Sequence, residues 1–373
     1  MIGRQIVVST CGTSLLTNAA RGPGQRELLA ELQRHGNDTE DELPREVLAR
    51  FRHHADRTRA EALAIGAADG WRLSAEINGL LRLYGAGVAA KARLDTHFLV
   101  HSDTWEGQAA AEIGRDWLAA HGISAQVHCV DCLTAANTEA FTLGTQELVR
   151  FCEGDLRDSR GPGDRIVFHL SGGWKSLQGF MTVLGMVYAD ELVYIHEFGE
   201  LLRIPRLPVQ LDPDGVLAAR PELARRIALQ LPCSAEEVAG LPESLLYPQA
   251  GGFQFSPWGL AAWARGRRAV YQSALLPSPT PPVKYGDRFS ATAAPFRGQR
   301  HMADINDCID KLVQYVVFGR PTRGLDLKGL RDAEAFAPST HECDAWHDGG
   351  AGRLFGHWDR DVFVLDRVHG HLG

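Results

Sequence analysis

The first two hundred residues predict an α/β fold built on a mostly parallel sheet, and three observations predict it. Short apolar runs rich in β-branched residues alternate with stretches of helical periodicity. Gly and polar residues bound the runs. Several runs end in small or hydroxyl-bearing residues. Strands alternating with helices require crossover connections, which place helices on both faces of a parallel sheet.

The elements follow in order. Ile6, Val7 and Val8 form the first strand, followed by a charged helical insertion over residues 22–68 that lies outside the sheet. Phe98, Leu99 and Val100 make the second strand, residues 127–130 the third, residues 166–168 the fourth and residues 192–195 the fifth. Residues 108–120, 138–151 and 175–188 carry helical patterns between them. Beyond Glu200, Pro205, Pro208 and Pro213 punctuate a stretch expected not to continue the sheet. Helical candidates at 221–230 and 234–239, a Gly251-Gly252 turn and a helix at 257–271 follow the order of a small winged-helix-like unit. The Pro-rich residues 277–282 read as a stiff linker. A terminal α+β piece comes last, with a helix over 302–318 and strands over 353–358 and 362–367. The expected domains are therefore 1–205, 206–276 and 277–373.

Composition narrows the classes. With 373 residues, 45% of them apolar, the chain has material for several buried cores. The start Met-Ile-Gly-Arg-Gln lacks the order of a secretory signal, and no long apolar run is present, so a soluble cytoplasmic protein is expected. Seven scattered cysteines do not suggest a disulfide framework. Cys129 and Cys132 have the spacing of half a zinc site without a second half, and read as buried thiols; no metal and no cofactor are expected. Residues 1–250 hold 24 Lys and Arg against 33 Asp and Glu. Residues 251–300 reverse the balance, with seven basic residues against Asp287 alone, a stretch suited either to phosphates or to a solvated linker.

The chemistry concentrates at the strand ends. Thr10, Gly12, Thr13, Ser14 and Asn18 follow the first strand, Ser102 and Asp103 the second, and Gly172, Gly173 and Lys175 the fourth. Ends of parallel strands share one side of a sheet, so these groups converge on a single crevice, where amides and hydroxyls meet phosphate or ribose. Neither a P-loop nor a Gly-x-Gly-x-x-Gly fingerprint is present, which leaves a nucleotide held without a triphosphate grip.

Residues 9–18, Ser74-Ala75-Glu76-Ile77-Asn78, Ser102-Asp103-Thr104-Trp105-Glu106-Gly107 and Leu170-Ser171-Gly172-Gly173-Trp174-Lys175-Ser176 resemble CARF domains, the Rossmann-like sensors of type III CRISPR systems. The resemblance spans residues 1 to about 200. It implies a homodimer that binds a cyclic oligoadenylate across its two-fold axis, through Thr10, Gly12, Thr13, Ser14, Asn18, Ser102, Asp103, Gly172, Gly173 and Lys175. Some CARF domains also cleave their ring slowly, and Ser14 and Lys175 are the residues suited to that here.

The rest of the chain should carry an output. A HEPN ribonuclease needs an all-helical domain with an Arg and a His four to six residues apart; Arg115 and His121 have that spacing but fall inside the sensor, which disfavours this output. A restriction-type nuclease needs a Glu-x-Lys, which neither Glu334 nor Glu342 supplies. Six of the 15 histidines lie beyond residue 300, and strand alternation places Arg353 with His357, and Arg367 with His369 and His371. Such a face suits metal-independent cleavage of RNA, with Arg on the phosphate and His as acid or base.

Gly352-Arg353-Leu354-Phe355-Gly356-His357-Trp358, followed by Asp361-Val362-Phe363-Val364-Leu365, resembles the paired terminal strands of the RelE family, in which an Arg binds the scissile phosphate. That role falls to Arg353. The family's closing Arg and Tyr are replaced here by Arg367-Val368-His369-Gly370-His371-Leu372, which leaves acid–base work to His369 or His371. The whole chain thus resembles the CARF–RelE mRNA interferases. That likeness implies activation by cyclic tetra-adenylate and cleavage of mRNA in the ribosomal A site, with docking to the ribosome and its stalk protein. The rival expectations are a CARF and winged-helix regulator of transcription, and a plain ring nuclease.

Overall fold

The structure is a computed structural model that describes residues 3–85, 92–134, 137–195, 199–208, 211–212, 215–320, 322, 324–331, 334–347 and 351–370. The chain divides into two compact units, Met1–Gln210 and Leu211–Gly373.

The first unit is built on a six-stranded sheet of β1 (Gln5–Thr10), β2 (Thr96–Ser102), β3 (Ala125–Val130), β4 (Arg165–His169), β5 (Glu191–Ile195) and β6 (Leu201–Pro205), in the order β3-β2-β1-β4-β5-β6. The first five strands are parallel. Ile6, Val7 and Val8 are wholly buried, as expected of a central strand covered on both faces. This is the doubly wound order that reverses direction between β1 and β4, and it fits a Rossmann-like α/β fold. The covering helices include α1 (Ser14–Ala19), α2 (Arg26–His35), α3 (Arg45–Leu63), α4 (Ala75–Tyr84), α5 (Trp105–Ala120), α6 (Thr138–Phe151) and α7 (Lys175–Tyr188).

Two expectations need correction. The prolines after Glu200 do not end the sheet: β6 pairs antiparallel with β5, Pro205 opposite Glu191. Pro205 closes an edge strand, where its missing N–H interrupts no interior ladder. Cys129 and Cys132 are exposed free thiols rather than buried ones, because β3 is itself an edge strand and Cys132 lies in the turn beyond it.

The charged insertion forms α2 and α3, helical and outside the sheet as expected, and it packs into the main core. Phe51 packs on Trp105 with ring centroids 5.4 Å apart, and His54 Nε2 lies 3.0 Å from the Leu16 carbonyl. The loop after α2 is tied to the start of α5, where the Trp105 amide donates to the Asp38 carbonyl at 3.0 Å.

The second unit begins with α8 (Val216–Ala219), α9 (Pro221–Ala228), α10 (Ala235–Val238), the hairpin of β7 (Leu246–Gln249) and β8 (Gly252–Phe255), and α11 (Pro257–Ser273). It continues through β9 (Val283–Tyr285), α12 (Phe289–Ala293), α13 (Arg300–Phe318), β10 (Lys328–Gly329), β11 (His341–Trp346), β12 (Gly352–Asp359) and β13 (Val362–Gly370). The larger sheet has the order β10-β11-β12-β13-β9. Its buried face, with Cys343, Leu354, Phe363 and Leu365, packs on Ile305, Cys308, Ile309 and Leu312 of α13. The Pro-rich stretch is tied down and not a free linker. The Pro277 carbonyl accepts from Arg225 at 3.0 Å and the Pro282 carbonyl from the Phe363 amide at 2.8 Å. Proline lacks a donor but keeps its acceptor.

Candidate functional site

Where the sheet reverses direction, the loops after β1 and β4 part and open a crevice of about 480 Å³. Ligands of open α/β sheets bind at such a switch point, beyond the carboxyl ends of the strands. Gly12, Thr13 and Ser14 line it from β1, Ser102 from β2, and Ser171, Gly172, Gly173 and Trp174 from β4. Six residues expected from the sequence therefore meet there: Gly12, Thr13, Ser14, Ser102, Gly172 and Gly173.

Thr10, Asn18, Asp103 and Lys175 stand outside the lining. Thr10 is wholly buried, and its hydroxyl donates to the Gly172 carbonyl at 2.7 Å, fastening the β1 and β4 tips together. Asp103 accepts from the Cys132 amide at 2.9 Å. Asn18 reaches the Leu73 carbonyl at 3.4 Å. Lys175 is the first residue of α7.

Sequence reading missed the two carboxylic acids in this crevice. Glu76, near the start of α4, accepts from the Gly12 amide at 2.7 Å and from the Ser14 hydroxyl at 3.0 Å. The Gly12 amide is therefore taken by a carboxylate of the chain itself. Gly172 lies so close that a Cβ there would overlap Glu76 Oε1, and a Cβ at Gly12 would stand 2.8 Å from the Gly173 amide nitrogen. Both glycines are required by close approach. The second acid, Glu106 of α5, is 2% exposed and lines the crevice, as do Leu32, Gln33, Gly36 and Asn37 from the insertion. Burial, reinforced by the negative charge of Asp38, pushes its carboxyl up to about 8.

The helices that leave the strand ends differ in their caps. Thr104 accepts from the Gly107 amide at the start of α5, and Asn137 from the Ala140 amide at the start of α6. At the start of α7, Trp174 makes no side-chain cap. The first amides of α7 thus begin at the crevice wall without a side-chain acceptor, in the orientation that favours an anion.

Beneath the crevice, His169 is wholly buried, with Nδ1 3.0 Å from the Ser9 hydroxyl and Nε2 2.8 Å from that of Ser171. Burial pushes its pKa down to about 3, with the charge of His97 adding to the effect, so the ring is neutral. Arg115 and His121 have local roles: Arg115 pairs with Asp116, and His121 bonds the Trp117 carbonyl.

In the second unit, cross-strand register puts Arg353 opposite both Asp344 and His369, and Phe355 opposite both Glu342 and Arg367. These pairs share the face of the sheet turned away from α13. A register shift near Gly356 brings Asp366 to His357, 2.9 Å from Nδ1. Four of the five expected residues are thus gathered; His371 lies outside the described residues. They are not bare cations. Arg353 pairs with Glu342 at 3.0 Å and Asp344 at 3.2 Å, and the Arg367 guanidinium lies over Phe336 and Phe355. In the basic stretch, Arg267 meets Asp307 at 3.2 Å. Among the described residues no group of three or more His, Cys, Asp and Glu is arranged to hold a metal ion, and no helix is long and apolar enough to cross a membrane.

The first unit is thus a Rossmann-like α/β body with a polar crevice at its switch point. Residues 71–207 match the family model of a CRISPR-associated protein, Cas_APE2256. The match supports a CRISPR-associated protein and takes in Glu76, Ser102, Glu106 and the tip of β4.

Proposed function

We propose that the first unit is a CARF sensor that binds a cyclic oligoadenylate, cyclic tetra-adenylate by the resemblance, and that binding switches on an mRNA-cutting second unit. The observation that carries the reading is the crevice itself: hydroxyls, close-packed glycines and the uncapped start of α7 at the point where β1 and β4 diverge. The α7 amides, with Lys175 beside them, take a phosphate. Glu76, already an acceptor for Gly12 and Ser14, offers its oxygens to ribose hydroxyls. Two copies of the crevice about a two-fold axis would match a symmetric ring. The CRISPR-associated family match over residues 71–207 agrees with such a role.

In this reading the second unit is a RelE-like ribonuclease. Arg353 holds the scissile phosphate, while His357, Arg367, His369 and His371 supply acid, base and charge for attack by the ribose 2′-hydroxyl, without metal or cofactor. The mRNA is presented in the ribosomal A site, and Arg353 must exchange Glu342 and Asp344 for the phosphate. The test is cleavage of mRNA on programmed ribosomes with the ring added or omitted. Cutting that needs the ring, and that Arg353→Ala abolishes while ring binding persists, supports the reading; cutting that ignores the ring, or none, contradicts it.

The ion pairing of Arg353 with two carboxylates favours a second reading, in which the terminal sheet is structural and the residues before it form a winged-helix-like DNA-binding part. That reading predicts salt-sensitive binding of duplex DNA and no RNA cleavage.

A further inference from the structure

Among the described residues, two buried polar atoms of the crevice lining have no hydrogen-bond partner, Trp174 Nε1 and Glu106 Oε1. Glu106 is 2% exposed and lines the cavity, and among the described residues its Oε1 has no hydrogen-bond partner. A buried carboxyl oxygen left unpaired is costly, and in a native fold it marks a place where something else binds. The nearby hydroxyls do not answer it. Ser102 and Thr104 bond each other at 2.8 Å, and Thr104 is spent on the Gly107 amide. The surrounding walls suit a flat ring: Leu32 and Leu133 are apolar, while Gly36 and Gly107 carry no side chain to block it.

We propose that Glu106 is the base reader of the crevice and that it takes the Watson–Crick edge of adenine. Its O–H donates to adenine N1, and its carbonyl oxygen accepts from the N6 amino group. The inference rests on the reading of the crevice as a cyclic oligoadenylate site and adds to it the residue that recognises the base. The choice of base follows from the protonation state. Guanine presents two donors, N1–H and the N2 amino group, to a side chain on that edge, and a carboxylate with two acceptors would suit it. A carboxylic acid offers one donor and one acceptor, so of the two purines it complements adenine and rejects guanine.

The surroundings keep Glu106 protonated near neutral pH. Burial raises its pKa to about 8, with the charge of Asp38 second. Three carboxylates of the crevice and its neighbouring loops are engaged by other partners. Asp38 is bonded to His35 at 2.6 Å, Glu76 to Gly12 and Ser14, and Asp103 to the Cys132 amide. Burial holds the Cys11 thiol well above its ordinary value.

The experiment is calorimetric titration of cyclic tetra-adenylate into the full chain from pH 6.5 to 9, with wild type, Glu106→Gln and Glu106→Ala. Wild type should lose affinity about tenfold per pH unit above 8, as the donor ionises. Glu106→Gln keeps one donor and one acceptor, so its affinity should stay within about threefold of wild type at pH 7 and stay flat to pH 9. Glu106→Ala should bind about tenfold or more weakly than wild type at pH 7, with an affinity that does not change up to pH 9. If Glu106→Ala fails to fold, wild type and Glu106→Gln decide the matter. A wild-type affinity that is flat with pH, or a folded Glu106→Ala that binds like wild type, overturns the proposal and leaves the sensor reading standing. No uptake of the ring by wild type at any pH overturns both.

Discussion

At the scale of single residues, burial sets what the crevice acids and histidine can do. Glu76 holds the Gly12 amide and the Ser14 hydroxyl at once, so Glu76→Ala leaves both unpaired. The expected loss is about 2 kcal/mol of stability, read by denaturant unfolding, together with weakened ring binding. The two perturbed groups bend the pH profile in opposite directions. Glu106 has a folded-state pKa raised from 4.5 to about 8, so its contribution is fully present below about pH 4.5 and is lost as pH rises through 8. Melting curves should show Glu106→Gln gaining stability over wild type as pH climbs from 5 to 9. His169 is depressed from 6.5 to about 3, so its contribution is present above pH 6.5 and is lost as pH falls toward 3. His169→Gln, which cannot be protonated, should lose less stability than wild type between pH 6 and 4. Little of this was legible in the sequence. The segment holding Glu76 stands out as a motif, yet nothing local says that its carboxylate crosses to the β1 loop, 64 positions away. The burial of Glu106 depends on the insertion, whose docking no periodicity announces.

At the scale of elements, the alternation of short β-branched runs with helical stretches was enough to place β1 to β5 and the helices between them, because a strand buried on both faces must be apolar throughout. β6 was hidden by its prolines, since an edge strand needs only one paired side and tolerates them. The insertion was legible as helix but not as a wall of the crevice, for helical charge patterns carry no address. The β1 and β4 tips form one device. Thr10 bonds the Gly172 carbonyl, and Gly172 lies against Glu76 with no room for a methyl group. Gly172→Ala should therefore displace Glu76 and the start of α7 together. In the second unit, Arg225 of α9 is wholly buried and donates to Asp310 of α13 at 2.6 Å, beside the Tyr271 hydroxyl of α11. Removing one partner strands a buried charge. Arg225→Ala should cost about 3–5 kcal/mol in the unfolding of that unit, measured by calorimetry, and leave ring binding by the first unit unchanged.

At the scale of the whole molecule, the excess of acids in residues 1–250 would repel a polyanion at long range, so the proposed cyclic nucleotide would have to be held by oriented amides and hydroxyls at short range. The basic stretch after residue 250 was legible in the sequence, but its partners were not: Arg267 folds back on Asp307 of α13. The terminal strands were equally legible, and cross-strand register gathers Arg353, Phe355, Arg367 and His369 as alternation requires. The carboxylates that neutralise Arg353 come from β11, a strand the sequence did not mark, so the charge balance of that face emerged only from the fold.

The central claim is that the switch-point crevice of the first unit holds a cyclic oligoadenylate, and calorimetry of cyclic tetra-adenylate against wild type and Gly172→Ala at pH 7 tests it most directly. The account predicts saturable uptake of one ring per two chains by wild type and at least a tenfold loss in the folded variant. No heat of binding with wild type, or equal binding by the variant, would contradict it.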